Sequence, residues 1–199
     1  MKDPSHRHTS IGVGVTVLTV PRRENLAPPD LERVYIEHAD FMWACLARLG
    51  VRDADIEDVL HEVFLAVHRR LSSFTGEVSL RGWLFAFCRR AAANYRRLAR
   101  LHVEKTGAAP SDFDVASDVD GPERAASVNE TLDALERILA TMPDDKRIVF
   151  VMFEIELMSA EEIAAVLEIP VGTVYSRMHW ARREFQRAAR RLHLLTSEI

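Results

Sequence analysis

The stretch Ser159 to Gln186, SAEEIAAVLEIPVGTVYSRMHWARREFQ, limits the fold most tightly, because two helical patterns must meet across a short break. Ser159 followed by Glu162 has the spacing of a capping box, in which the serine oxygen accepts from an early N–H and the glutamate reaches back to the cap. Ile163, Ala164, Val166 and Leu167 supply the inward face of about two helical turns. Glu168-Ile169-Pro170 then stops the helix, since the residue before a proline is driven out of the helical region and proline suits the opening of a new helix. In the second helix Val174, Met178, Ala181, Phe185, Ala188 and Leu192 form one apolar stripe. Its other faces carry Thr173, Ser176, Arg177, Trp180 and Arg183, with short hydrogen-bonding groups first and guanidinium groups beyond them. A helix entering DNA needs that order, base edges at its first turns and phosphates later. The stretch predicts a helix-turn-helix; on periodicity alone, an ordinary amphipathic hairpin with a solvated basic face competes with it.

The rest of the chain keeps a helical period. After Pro28-Pro29, with Asp30 as cap, Leu31, Val34, Tyr35, His38, Phe41, Met42, Cys45, Leu46 and Leu49 trace an apolar face that Gly50 ends. A second helix opens near Asp53 and Asp55, whose charges suit a helix N-terminus. Ile56, Val59, Leu60, Val63, Phe64, Val67 and Leu71 point inward there, and Glu57, Asp58, His61, Glu62 and Arg69 outward. A turn-rich loop, Ser72 to Glu77, leads to a third helix with Leu80, Trp83, Leu84, Phe87 and Ala91 on its core face; Trp83 is read as packing rather than stacking on DNA. Thr106 to Ser127 breaks the pattern with Gly, Pro, Ala and Ser among Asp112, Asp114, Asp118, Asp120 and Glu123, and reads as an acidic linker. Helices resume at Val128, with Leu132, Leu135, Ile138 and Leu139 inward, and again after Met142-Pro143 with Ile148, Val149, Met152, Phe153 and Ile155. The fold class is therefore all-α, two small helical domains joined by a flexible acidic linker.

Charge sharpens this division. The formal net charge of -4 hides two basic blocks on either side of the acidic segment. Arg81, Arg89, Arg90, Arg96, Arg97, Arg100 and Lys105 form the first, and Arg177, Arg182, Arg183, Arg187, Arg190 and Arg191 the second. Cys45 and Cys88 both fall in apolar helical patterns, which argues for packing and a reducing cytoplasm rather than a disulfide framework. The apolar run Ile11 to Val20 is too short to cross a bilayer as a helix, and Thr19-Val20-Pro21-Arg22-Arg23 offers no small-residue cleavage site. Residues 1–29 are expected to be a flexible extension or a stray strand, and no membrane insertion is expected. No catalytic triad or glycine-rich phosphate loop appears. His61-Glu62 begins like a zinc-protease motif, but Leu65 stands where the second histidine would be; neither metal nor cofactor is expected.

Several of these stretches resemble the extracytoplasmic-function (ECF) sigma factors of bacterial RNA polymerase, in the sigma-70 family. Met142-Pro143, Arg147, Val149-Phe150, Ser159, Glu161 to Ala164, Ile169 to Val174 and Ser176-Arg177 match the family's promoter-recognition domain. The chain departs from it at Leu157 and Glu168, where the family has glycine, and at Tyr175, where it has lysine. Asp55, Glu57-Asp58, Glu62 to Ala66 and Leu71 match its polymerase-binding helix, with His61 in place of glutamine. Phe74, Gly76, Ser79 to Arg81, Trp83-Leu84, Arg89 and Arg96-Arg97 match the loop and helix that melt the −10 element, with Arg90 in place of asparagine and Asn94 of aspartate.

The resemblance implies a promoter-directing subunit, not an enzyme, that acts in the cytoplasm. Residues 30–105 would hold core polymerase through Asp58, His61 and Glu62 on the β′ clamp helices. They would hold the −10 element through Phe74, Arg81, Arg89, Arg90, Asn94, Arg96 and Arg97. Residues 106–127 would thread the polymerase channels, and residues 128–195 would meet the β flap and read the −35 element through Thr173, Tyr175, Ser176, Arg177, Trp180 and Arg183. An anti-sigma partner is expected from the same resemblance. Two rivals stay open: an ordinary regulator whose helix-turn-helix acts alone, and a helical adaptor without DNA. The first leaves the DIEDVLHEVFL and SLRGWL matches unexplained, and the second leaves both basic blocks idle.

Overall fold

The computed structural model describes residues 30–106 and 123–192. The expected N-terminal extension, nearly all of the acidic linker and residues 193–195 lie outside the described residues. Among those described the secondary structure is helical: α1 (Leu31–Arg48), α2 (Asp53–Arg70), α3 (Leu80–Thr106), α4 (Glu123–Ala140), α5 (Asp144–Phe150), α6 (Ala160–Leu167) and α7 (Val171–Arg191). A 3₁₀ turn at Leu71–Ser73 follows α2, and a π-helical turn at Val151–Ile155 continues α5. Helix α4 starts within the segment read as linker.

Helices α1, α2 and α3 pack on one another as an N-terminal lobe, and α5, α6 and α7 as a C-terminal one; α4 touches both α1 and α7. Gly50 closes α1 in a left-handed turn at φ 87, with the Val51 N–H on the Leu46 carbonyl and the Gly50 N–H on Ala47. That reversal brings α2 back along α1. Ile56, Val59, Leu60, Val63 and Val67 are buried as the periodicity requires. Phe150 stacks on Phe185 with centroids 4.8 Å apart, fixing α7 against α5.

Inward assignments change on four helices. On α3 the buried residues are Leu84, Phe85, Cys88 and Ala92, while Leu80, Trp83, Phe87 and Ala91 are only half-buried. The helix is covered on two sides, by α1 and α2 and by α6, so its apolar band is wider than one stripe. Tyr35 is exposed, its ring lying 4.9 Å from that of Phe64. Leu132 is exposed and Ala134 buried in its place, because α4 is gripped at its C-terminal turns. Leu192 lies past the end of α7, and Ala189 completes the stripe that Val174, Met178 and Ala181 begin.

The capping box at Ser159 is half made. Its Oγ accepts from the Glu162 N–H at 3.1 Å, but the Glu162 carboxylate faces α3, where Oε1 is buried without a hydrogen-bond partner. Leu157 and Glu168 occupy left-handed backbone, φ 54 and 55, so both turns keep the geometry that glycine would take freely. A side chain there costs about 1–2 kcal/mol, part of which glycine would return in unfolded-chain entropy. Leu157→Gly and Glu168→Gly are each expected to stabilise the fold by about 0.5–1 kcal/mol. Thermal unfolding checks this, and a lower melting temperature for both variants would refute the strain.

Candidate nucleic-acid interface

The outer face of α2 carries Asp58, His61 and Glu62 in solvent, none with an ion-pair partner among the described residues. Their spacing of three and four puts them on one side of the helix, and the half-exposed Leu65 extends the same side by one turn. In the sequence Leu65 falls within the match to the polymerase-binding helix but is not singled out as a contact; an apolar residue left on an otherwise charged face is the available signal.

The loop after α2 sets Phe74 against Trp83 at 5.4 Å, and Trp83 against Phe87 at 4.6 Å. Trp83 is thus a packing residue and Phe74 is half-buried beside it. Along α3, Arg90, Asn94 and Arg97 are exposed, with the Arg97 guanidinium donating to Asn94 Oδ1 at 2.8 Å. Arg89 is half-buried with its Nε unpartnered. Arg81 and Arg96 face elsewhere. Arg81 pairs with Glu156 at 2.7 Å and lies over the Phe41 ring, while Arg96 donates to the Leu49 carbonyl and pairs with Asp144 at 3.0 Å.

On α7, Tyr175, Ser176, Trp180 and Arg183 are exposed, with His179 beside them, a group the sequence reading passed over. The Ser176 hydroxyl donates to the Thr173 carbonyl at 3.0 Å. The Arg183 guanidinium lies 5.2 Å from the Trp180 ring centre, which holds the charge on the outer face. Arg177 does not stand free: it is half-buried and its Nε is 3.5 Å from Asp145 at the start of α5. Thr173 is half-buried at the first turn. The arrangement offers an exposed aromatic and hydroxyl surface at the N-terminal end of α7 and cations beyond it, against an acidic patch on α2 that is unpaired among the described residues.

Cys45 and Cys88 are fully buried, and burial pushes both thiols up, Cys88 to about 12, so neither is a nucleophile at neutral pH. Among the described residues no group of His, Cys, Asp and Glu has the geometry to hold a metal ion, and no helix is long and apolar enough to cross a membrane.

The family description "Sigma-70 region 2" matches residues 34–101, and "Sigma-70, region 4" matches residues 132–185. The ECF RNA polymerase sigma-E factor of Escherichia coli K12 is 32% identical over 145 residues, covering 70% of this chain and 76% of that protein. The chain belongs to the ECF sigma factors. The RNA polymerase sigma-H factor of Pseudomonas aeruginosa PAO1 is also 32% identical, over 152 residues and 75% of its length. In three dimensions this sigma factor is similar to the RpoE chain solved with the anti-sigma factor NepR from Bartonella quintana. The TM-score is 0.65 at 18% identity, over 81% of this chain and 97% of that one. It is also similar to CnrH solved with the cytosolic domain of CnrY, with a TM-score of 0.56 at 23% identity. At those identities the two structures show the shared fold. As a sigma factor it binds core RNA polymerase and directs it to promoter DNA, helping to open the −10 element for initiation.

Proposed function

We propose that this sigma factor divides its work among three surfaces on two domains, residues 30–105 and 128–195. The exposed Asp58, His61 and Glu62 dock on the β′ clamp helices. Phe74, Arg81, Arg89, Arg90, Asn94, Arg96 and Arg97 take the melted −10 strand, cations along the backbone and the aromatic loop beside an unstacked base. The C-terminal domain meets the β flap and reads the −35 element through Thr173, Tyr175, Ser176, Arg177, Trp180 and Arg183. The observation that carries this reading is the exposed acidic patch on α2, unpaired among the described residues, in the same chain as two basic helix faces. An ordinary regulator needs only one of the three. The chain has no chemistry of its own and works in the cytoplasm, where the polymerase is. An anti-sigma factor is its expected inhibitor, as the RpoE chain of similar fold was solved with the anti-sigma factor NepR.

The test is promoter selectivity. Arg177→Ala should cost about 1–3 kcal/mol at one −35 position and relax selectivity there, while Arg183→Ala weakens all promoters alike. The half-exposed Arg177–Asp145 pair is worth under about 1 kcal/mol, so the folded protein survives the change. Transcription from a promoter library randomised across the −35 element reads the difference. If Arg177→Ala reduces every promoter in equal proportion, Arg177 is a phosphate contact and base reading falls to Thr173, Tyr175, Ser176 or Trp180.

A further inference from the structure

The face of α3 that continues the aromatic loop offers no free side-chain acceptor. Trp83, Phe87, Arg90, Asn94 and Arg97 follow one another at alternating spacings of four and three, so they form one stripe along the helix. Its first part is half-buried, where the Phe74, Trp83 and Phe87 rings pack on one another. Its second part, from Arg90 on, is exposed. Arg90 is flanked on the helix surface by the small side chains of Ala86 and Ala93, and it has no ion-pair partner among the described residues. Arg81 and Arg96, by contrast, are taken up by Glu156 and Asp144. Asn94, one turn beyond Arg90, does not act as an acceptor either. A guanidinium can only donate, so Arg97 engages the amide oxygen of Asn94 at 2.8 Å and leaves its N–H groups for a partner. Arg90 and Asn94 both depart from the ECF pattern, which has asparagine and aspartate there. The two changes replace acceptors with donors.

We propose that Arg90 reads a base rather than the backbone and selects a guanine in the −10 element, with Asn94, locked by Arg97, as the positioning residue that leaves it free to do so. The proposal rests on the −10 assignment of this face and adds to it the identity of a base. Guanine presents two acceptors, N7 and O6, side by side on its major-groove edge. Adenine sets an amino donor beside its N7, cytosine offers a donor, and thymine offers one acceptor and a methyl group. A planar guanidinium fork meets both guanine acceptors at once, and meets a donor on adenine or cytosine. An aspartate in place of Asn94 would stand four residues on from Arg90 and draw its guanidinium down onto the helix as an ion pair. Asparagine with its oxygen already engaged exerts no such pull.

The test is transcription by core polymerase with the full-length chain from a promoter library randomised across the −10 element. The parent should favour guanine at one position by about tenfold or more, the ratio expected of one bidentate pair. Arg90→Gln should move that preference to adenine, because a glutamine amide pairs with adenine N6 and N7, and should leave the other positions as they were. Asn94→Asp should weaken the guanine preference by about twofold without changing the base preferred, the size of one ion pair on a helix surface. Both residues are exposed, so the variants should fold as the parent does. A parent with no guanine preference anywhere in the −10 element would overturn the proposal. An Arg90→Gln variant that weakens every library member in equal proportion would make Arg90 a phosphate contact, removing the guanine reading while the −10 assignment stands. A variant that transcribes the whole library just as the parent does would remove both, since this face would then not touch the −10 element.

Discussion

Reversing Asp58 and Glu62 together to lysine is expected to abolish holoenzyme formation and leave the helical content intact. Both side chains are exposed on α2 and neither has an ion-pair partner among the described residues, so folding loses little. Placing like charges across an interface costs several kcal/mol, and each 1.4 kcal/mol is tenfold in affinity, so core binding should fall by about two decades or more. His61→Ala removes one contact without reversing a charge and should have a smaller effect. Co-elution with core polymerase on gel filtration measures it. A folded double variant that still co-elutes would remove α2 from the polymerase contact.

Arg147→Ala is expected to destabilise the fold by about 3 kcal/mol. Arg147 is 6% exposed, and its guanidinium donates to the carbonyls of Ala140 and Met142 at 3.2 and 3.0 Å and to that of Leu49 at 3.4 Å. Burial pulls its pKa down, with Arg96 nearby acting in the same sense and Asp144 against it. Truncation strands the carbonyls of Ala140 and Met142, while that of Leu49 keeps the Arg96 guanidinium, and it opens a cavity at the meeting of α1, α4 and α5; each buried group left unsatisfied costs about 1–3 kcal/mol. Arg147→Lys should recover only part of the loss, since an ammonium lacks the planar fork. Chemical denaturation measures both variants. An Arg147→Ala midpoint within experimental error of the parent would show that these contacts are not held in solution.

The helices and their inward faces were legible in the sequence wherever one stripe met one partner. Val174, Met178 and Ala181 are buried because α7 packs on one side only, and Gly50 ends α1 because only a left-handed turn returns the chain along it. Reading by stripe fails on α3, where Phe85 and Cys88 are buried and Trp83 is not, since a helix covered from two sides has no single face. Patterns of charge show which groups are available for a partner but not which have found one inside the chain. Asp58 and Glu62 are as exposed as their spacing implies. Arg81 and Arg96 look the same in sequence as Arg90 and Arg97, yet they turn to Glu156 and Asp144, residues far along the chain. Glu156 itself carries no local mark of its burial. Leu157 and Glu168 are the reverse case: a side chain where left-handed backbone is required was visible in the sequence, and both positions take that backbone.

The measurement that bears most directly on the account is run-off transcription with core RNA polymerase on a genomic fragment library, mapping every start site. The account predicts starts that depend on this chain and share one −35 and one −10 element. They should disappear with the Asp58→Lys/Glu62→Lys variant, and the free chain should bind the same duplexes only weakly. No chain-dependent start, together with submicromolar sequence-specific duplex binding by the chain alone at physiological salt, would contradict it and leave a self-sufficient DNA-binding regulator in its place.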